Sequence, residues 1–165
     1  MNLRSLSVLA AAVLLLAACK QSLDTSAHTS GATATTAPPP SAQSSVTAGS
    51  REDFIQNVGD RVYFDFDRSD VKPEGQQVLQ KQAAWLKQYA NVTVTVEGHC
   101  DERGTREYNL ALGNRRANAV ESALVAAGVP ANRVQTISYG KDRPIVVGSN
   151  EAAWAQNRVS ITVIN

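Results

Sequence analysis

Val92-Thr93-Val94-Thr95-Val96 alternates apolar and polar residues without a break, and a helical pattern follows it from about Thr105 to Ala127. Period two belongs to a half-buried strand and period 3.6 to one stripe of a helix. A chain that switches between them across a short polar loop is committed to a sheet with helices laid on it. The switch recurs along the chain. Arg61 to Phe66 reads as a strand with Val62, Phe64 and Phe66 on one face. Pro73 suits a first helical position, and Val78, Leu79, Ala83, Trp85 and Leu86 follow at helical spacing. Gly98 ends the second strand. In the longest helix Leu112, Ala119, Ala123 and Leu124 sketch a core side, and Gly128 and Pro130 stop it. Arg133 to Tyr139 is a third strand, Asn150 to Gln156 a short helix, and Val159, Ile161 and Val163 alternate in a last strand. Phe54 to Val58 is either a helical turn or a lead-in strand. The order β-α-β-α-β-(α)-β favours parallel pairing and a two-layer α/β sandwich.

This folded part begins near Arg51. From Lys20 to about Ser50 the chain is rich in Ser, Thr, Ala, Gly and Pro, with Pro38-Pro39-Pro40, no aromatic residue and almost no large aliphatic one. Such a stretch buries too little apolar surface to offset its ordering entropy and is expected to be a disordered tether. As a coil of about 30 residues it spans roughly 30 Å, and stretched it reaches on the order of 100 Å. Before it, Arg4 and the apolar run Leu6 to Ala18 fit a secretory signal (residues 1–18), too short to span a bilayer. Leu16-Ala17-Ala18-Cys19 resembles the bacterial lipobox, which implies lipid on Cys19; an ordinary signal with a chance cysteine is the alternative. Each buried methylene of such a lipid contributes about 0.8 kcal/mol to anchoring. Lys20, where a sorting Asp is absent, implies the outer membrane. With Cys19 lipidated, Cys100 has no partner in the chain and is expected to be buried.

A formal net charge of +1 suggests no nucleic-acid partner. Unusual polarity is concentrated at two places, Asp65-Phe66-Asp67 after the first strand and Gly98-His99-Cys100-Asp101-Glu102-Arg103-Gly104-Thr105 after the second. Ligands of open α/β sheets bind outside the carboxyl ends of strands. On the helix that follows, Asn109, Leu112, Arg116 and Val120 lie along one stripe, where a core face does not ordinarily carry Asn and Arg. Two readings stand. Arg116 snorkels to solvent or bridges to Asp101 as a structural pair; or Asp101 and Arg116 line a pocket. Arg offers a fork for a carboxylate and Asp an acceptor for an ammonium, which together suit a zwitterionic amino-acid head group.

These motifs, with Asn109-Leu110-Ala111-Leu112, Arg115-Arg116-Ala117, Tyr139-Gly140 and Gln156-Asn157-Arg158, resemble the OmpA-like peptidoglycan-binding domain family from about Val62 to the C-terminus, with wording nearest its lipoprotein branch. The resemblance implies the family's α/β (α+β) two-layer sandwich with a mixed sheet over residues 51–165. It implies a non-catalytic domain, without cofactor or metal, that holds the diaminopimelate of the peptidoglycan stem peptide. By position it assigns Asp101, Arg116, Asn109 and Leu112 to that pocket, and Phe66 and Asp67 to a backbone contact with the ligand. It also implies partnership with the Tol proteins, TolB above all, competing with the wall for one face, and a role in constriction at cell division. The family commonly reads Asn-Arg-Arg near the last strand; here Val159 stands in the second Arg's place, so no second Arg supports the site.

Other chemistry is weakly signalled. His99, Cys100, Asp101 and Glu102 are metal-ligand types, but four consecutive residues do not readily converge on one ion. Asp65 and Asp67 imitate a catalytic pair without a nucleophile or second base. A wall hydrolase or amidase on this fold, or a family lipoprotein with no Tol link, are the rivals. Alanine at Asp101 or Arg116 is expected to cause large losses of wall binding with little loss of folding.

Overall fold

The computed structural model describes residues 46–165. The signal, Cys19 and most of the low-complexity tract lie outside the described residues. Ser50 caps the first helical segment, α1 (Arg51–Asp53), its hydroxyl accepting from Asp53 N at 3.1 Å, and wider π-type turns continue it over Phe54–Val58. Helix wins over strand here. It turns Phe54 fully inward against Trp85, with ring centroids 5.0 Å apart.

The first strand, β1 (Arg61–Tyr63), is shorter than its alternation predicts. Val62 and Phe64 enter the core, but Phe66 is 58% exposed. After Tyr63 the chain turns, Arg68 N donating to Asp65 O at 3.2 Å, with Asp67 at φ 58°. Asp tolerates this left-handed conformation, and the turn ends period two before Phe66. Helix α2 (Pro73–Gln88) opens on its proline and buries Leu79, Ala83, Trp85 and Leu86. Strand β2 (Val94–His99) runs through Gly98 instead of ending there, because Gly98 still pairs with Ser138 and Ser160. Helix α3 (Arg106–Ala126) is capped by Thr105, whose hydroxyl accepts from Tyr108 N at 3.2 Å. Strand β3 (Val134–Gly140), helix α4 (Glu151–Asn157, capped by Asn150) and strand β4 (Val159–Ile164) complete the chain.

The sheet is mixed, in the order β1-β4-β2-β3. Only β2 and β3 are parallel; β4 lies between β1 and β2, antiparallel to both. The mixed sheet that the resemblance implies is what the fold builds, and the parallel pairing favoured by the element order holds for β2 and β3 alone. The crossover through α2 leaves a gap one strand wide, and the short α4 returns the chain down that gap instead of across the sheet. The last strand also inverts its apparent pattern. Ser160 and Thr162 are buried, while Ile161 and Val163 are only half-buried. Thr162 Oγ1 donates to Gln82 Oε1 at 2.9 Å and Gln82 Nε2 donates to Gly59 O at 2.7 Å. Thr162 is tolerated inside because it meets a polar partner on α2, whereas the buried Ser160 hydroxyl finds no hydrogen-bond partner among the described residues.

The packing of α3 on β2 is backbone against backbone. A Cβ on Gly98 would stand 1.9 Å from Gly113 O, and one on Gly113 2.3 Å from Ser138 Oγ. These two glycines, with Gly140, where a Cβ would stand 2.8 Å from Leu110 N, let the helix lie so close, which brings Asn109, Leu112 and Arg116 to the loop that leaves β2.

Candidate ligand-binding site

A cavity of about 150 Å³ opens beyond the carboxyl ends of β1 and β2. Phe66, Asp67, Asp101, Asn109, Leu112 and Arg116 all line it. All six residues expected at a site are thus gathered around one space. Cys100, Arg103, Gly104 and Tyr108 complete the wall.

Arg116 is fully buried. Its Nε donates to Arg68 O at 2.8 Å, Nη1 to His99 O at 2.8 Å and Nη2 to Asp65 O at 3.0 Å. Nη1 also approaches Cys100 Sγ at 3.5 Å, and the guanidinium carbon lies 5.2 Å from the centre of the Phe64 ring. One Arg therefore staples the loops after β1 and β2 together through their carbonyls. Among the described residues no carboxylate lies within ion-pair distance of it. Burial presses its pKa below the ordinary value, yet a guanidinium stays protonated in a protein. The first reading of Arg116 is corrected: the side chain neither snorkels to solvent nor bridges to Asp101.

Asp101 is buried and pairs elsewhere. Its Oδ1 accepts from Arg103 N and Nε, both at 3.1 Å, and its Oδ2 from Arg103 Nη2 at 2.6 Å and Arg158 Nη1 at 3.5 Å. Burial works to raise its pKa; the bonds from Arg103 outweigh that and hold the carboxyl below its ordinary value. Both amide hydrogens of Asn109 go to loop carbonyls, Arg103 O at 2.8 Å and Thr105 O at 3.0 Å, so this residue fixes the rim. Tyr108 donates its hydroxyl hydrogen to Asp67, which raises the tyrosine pKa. Phe66 and Leu112 supply the apolar walls.

Sequence reasoning missed Arg103 and undervalued Arg158. Arg103 stacks between Phe66 and Trp154, 4.0 and 4.1 Å from the ring centres. Arg158, almost fully buried, donates to Phe64 O at 3.2 Å and Glu151 Oε1 at 2.7 Å besides Asp101. Its neighbour Asn157 accepts from Ile145 N at 2.8 Å and Val146 N at 2.9 Å, shaping the loop beside α4. The Asn157-Arg158 motif was the available signal: the first Arg of that pair supports Asp101, while Val159 is packed fully inside.

The four residues with metal-ligand side chains diverge. His99 Nδ1 donates to Arg143 O at 3.0 Å, Cys100 Sγ to Asn109 O at 3.4 Å, Asp101 faces the arginines, and Glu102 accepts from Trp154 Nε1 at 3.0 Å. Burial pushes the Cys100 thiol up to about 11, so it stays protonated at neutral pH and is no nucleophile.

Residues 63–158 match the OmpA family. The fold agrees: the crystal structure of the peptidoglycan-associated lipoprotein from Burkholderia pseudomallei superposes with a TM-score of 0.67 at 40% identity, over 70% of this chain and 100% of that one. The C-terminal domain of Helicobacter pylori MotB shares the fold alone, at 19% identity and a TM-score of 0.60, over 64% of this chain and 84% of that one. The chain belongs to the OmpA family, as a binding fold and not an enzyme. Within it, the peptidoglycan-associated lipoprotein of Agrobacterium fabrum is 55% identical over 120 residues, 73% of this chain and 68% of that protein. That of Brucella melitensis is 55% identical over 119 residues, 72% and 71% of the two chains. The protein is thus one of the peptidoglycan-associated lipoproteins. No helix among the described residues is long and apolar enough to cross a membrane.

Proposed function

We propose that this protein is an outer-membrane lipoprotein, anchored through Cys19, whose domain binds peptidoglycan non-covalently and so ties membrane to wall. The observation that carries the reading is the buried guanidinium of Arg116, which lines the cavity and, among the described residues, has no carboxylate within ion-pair distance. A buried charge left uncompensated is costly, and a ligand carboxylate compensates it. Asp101 and the turn at Phe66-Asp67 would meet the rest of a zwitterionic amino-acid end, with Phe66 and Leu112 on its methylenes. The free end of diaminopimelate in the stem peptide has this chemistry. The site residues are therefore Phe66, Asp67, Asp101, Asn109, Leu112 and Arg116. The family resemblance supports two further parts of the reading: TolB and other Tol proteins as partners, and service in envelope constriction.

Sedimentation with wall sacculi tests the site. Wild type pellets and releases no soluble muropeptides, and Arg116→Lys, which keeps the charge but not the fork, pellets about tenfold less. Equal pelleting of the two sinks the assignment; released fragments sink the non-catalytic reading. TolB added in excess is expected to displace sacculi, and Cys19→Ser to free the domain from membranes while sacculus binding persists.

A further inference from the structure

Asp101 has room for about four hydrogen bonds, and protein donors take all four. An ammonium group can reach it only if a donor leaves. The two arginines differ in their freedom to do so. Arg158 is locked by Phe64 O and Glu151, with 9% of its side chain exposed. Arg103 lines the cavity with 31% of its side chain exposed, and its Nη1 already stands 4.0 Å from a second carboxylate, Glu151. The rings of Phe66 and Trp154 form a slot on either side of it. A guanidinium sliding along that slot keeps its stacking while changing its carboxylate.

We propose that Arg103 is a displaceable internal cation: its guanidinium holds the place against Asp101 that a ligand ammonium takes, and moves toward Glu151 when it does. This rests on reading the cavity as a site for a zwitterionic amino-acid end. It makes Arg103 a specificity residue, since only a ligand bringing its own cation can release it. A ligand carboxylate alone can reach Arg116 and leave Arg103 in place.

The test uses a diaminopimelate-containing muropeptide and the same muropeptide with its free amine acetylated. The side-chain Nε–H signals of Arg103 and Arg116 are followed by NMR on full-length protein, the first assigned by its loss in Arg103→Lys. The free-amine peptide is expected to shift both signals, and the acetylated one only that of Arg116. Arg103→Gln is expected to bind the free-amine peptide about tenfold more tightly and to widen its preference over the acetylated peptide. If Arg116 responds to the free-amine peptide while Arg103 stays still, or if Arg103→Gln weakens binding, the displacement is wrong and the site stands. If neither signal responds to either peptide, the site itself falls, and this inference with it.

Discussion

The layer between sheet and helices buries polarity in two places, and they are built differently. On the α2 side, Gln82 and Thr162 close on each other and on Gly59 O. On the α3 side, Arg116 satisfies three backbone carbonyls but has no carboxylate within ion-pair distance among the described residues. A closed polar pair is architecture: it specifies how strand and helix meet and asks for nothing more. A buried cation that staples two loops with no paired carboxylate among the described residues is architecture and receptor in one side chain.

Substitutions can break that contrast. The largest effect is expected from Arg116→Met, which strands three carbonyls at about 1–3 kcal/mol each. Urea unfolding is expected to show a loss of at least about 3 kcal/mol, so the loss of wall binding comes with a loss of folding, against the expectation from sequence that alanine there costs binding but little folding. A stable Arg116→Met would mean the staple is idle. Next, Gly98→Ala drives a methyl into Gly113 O and is expected to cost about 1–3 kcal/mol or more; a variant as stable as wild type would show that α3 can lift off β2 freely. At the closed pair, Thr162→Val leaves Gln82 Oε1 unpaired at about 1–3 kcal/mol, with sacculus binding unchanged. Adding Gln82→Met should restore only part of that stability, because it removes the unpaired Oε1 but also takes the donor from Gly59 O. No second substitution is expected to rescue Arg116→Met in the same way.

The smallest effect is a slope with pH. Burial holds the folded His99 pKa below its ordinary 6.5, against the pull of Arg143 O and Glu97. As pH falls the unfolded chain takes up this proton first, so the contribution is complete above the unfolded pKa and declines below it toward the folded one. Denaturation midpoints between about pH 8 and about pH 5 should show a shallow fall that His99→Gln flattens. An unchanged slope would assign the titration to another group.

Much of this was legible because helix ends and loop chemistry are local. Pro73, Gly128 and Pro130 bound their helices as residue types, and the loops after β1 and β2 stood out by composition. Asn109, Leu112 and Arg116 could be placed on one stripe because helical spacing is rigid. What stayed hidden depends on distant partners. Alternation at Val159 to Val163 separates two faces without saying which one is inside, and Gln82 decided that. Phe66 left its expected face because of one left-handed residue. That β4 lies between β1 and β2 follows from no local pattern. Asp101 had three arginines to choose from, and loop geometry chose Arg103 and Arg158.

Arg51 Nη2 donates to Ile164 O at 2.7 Å, and Ile164 pairs with Val94, the first residue of β2. The cavity lies beyond His99, the last. The place where the chain joins the domain and the place where it would grip a ligand are thus separated by the length of β2, roughly 17 Å. A pull between them runs along the strand, across its ladders with β3 and β4. Those bonds lie transverse to the load and share it together, in shear, instead of parting one after another as a peeled zipper does. An optical-trap pull from residue 51 against a ligand held in the cavity should therefore rupture the ligand contact before the sheet.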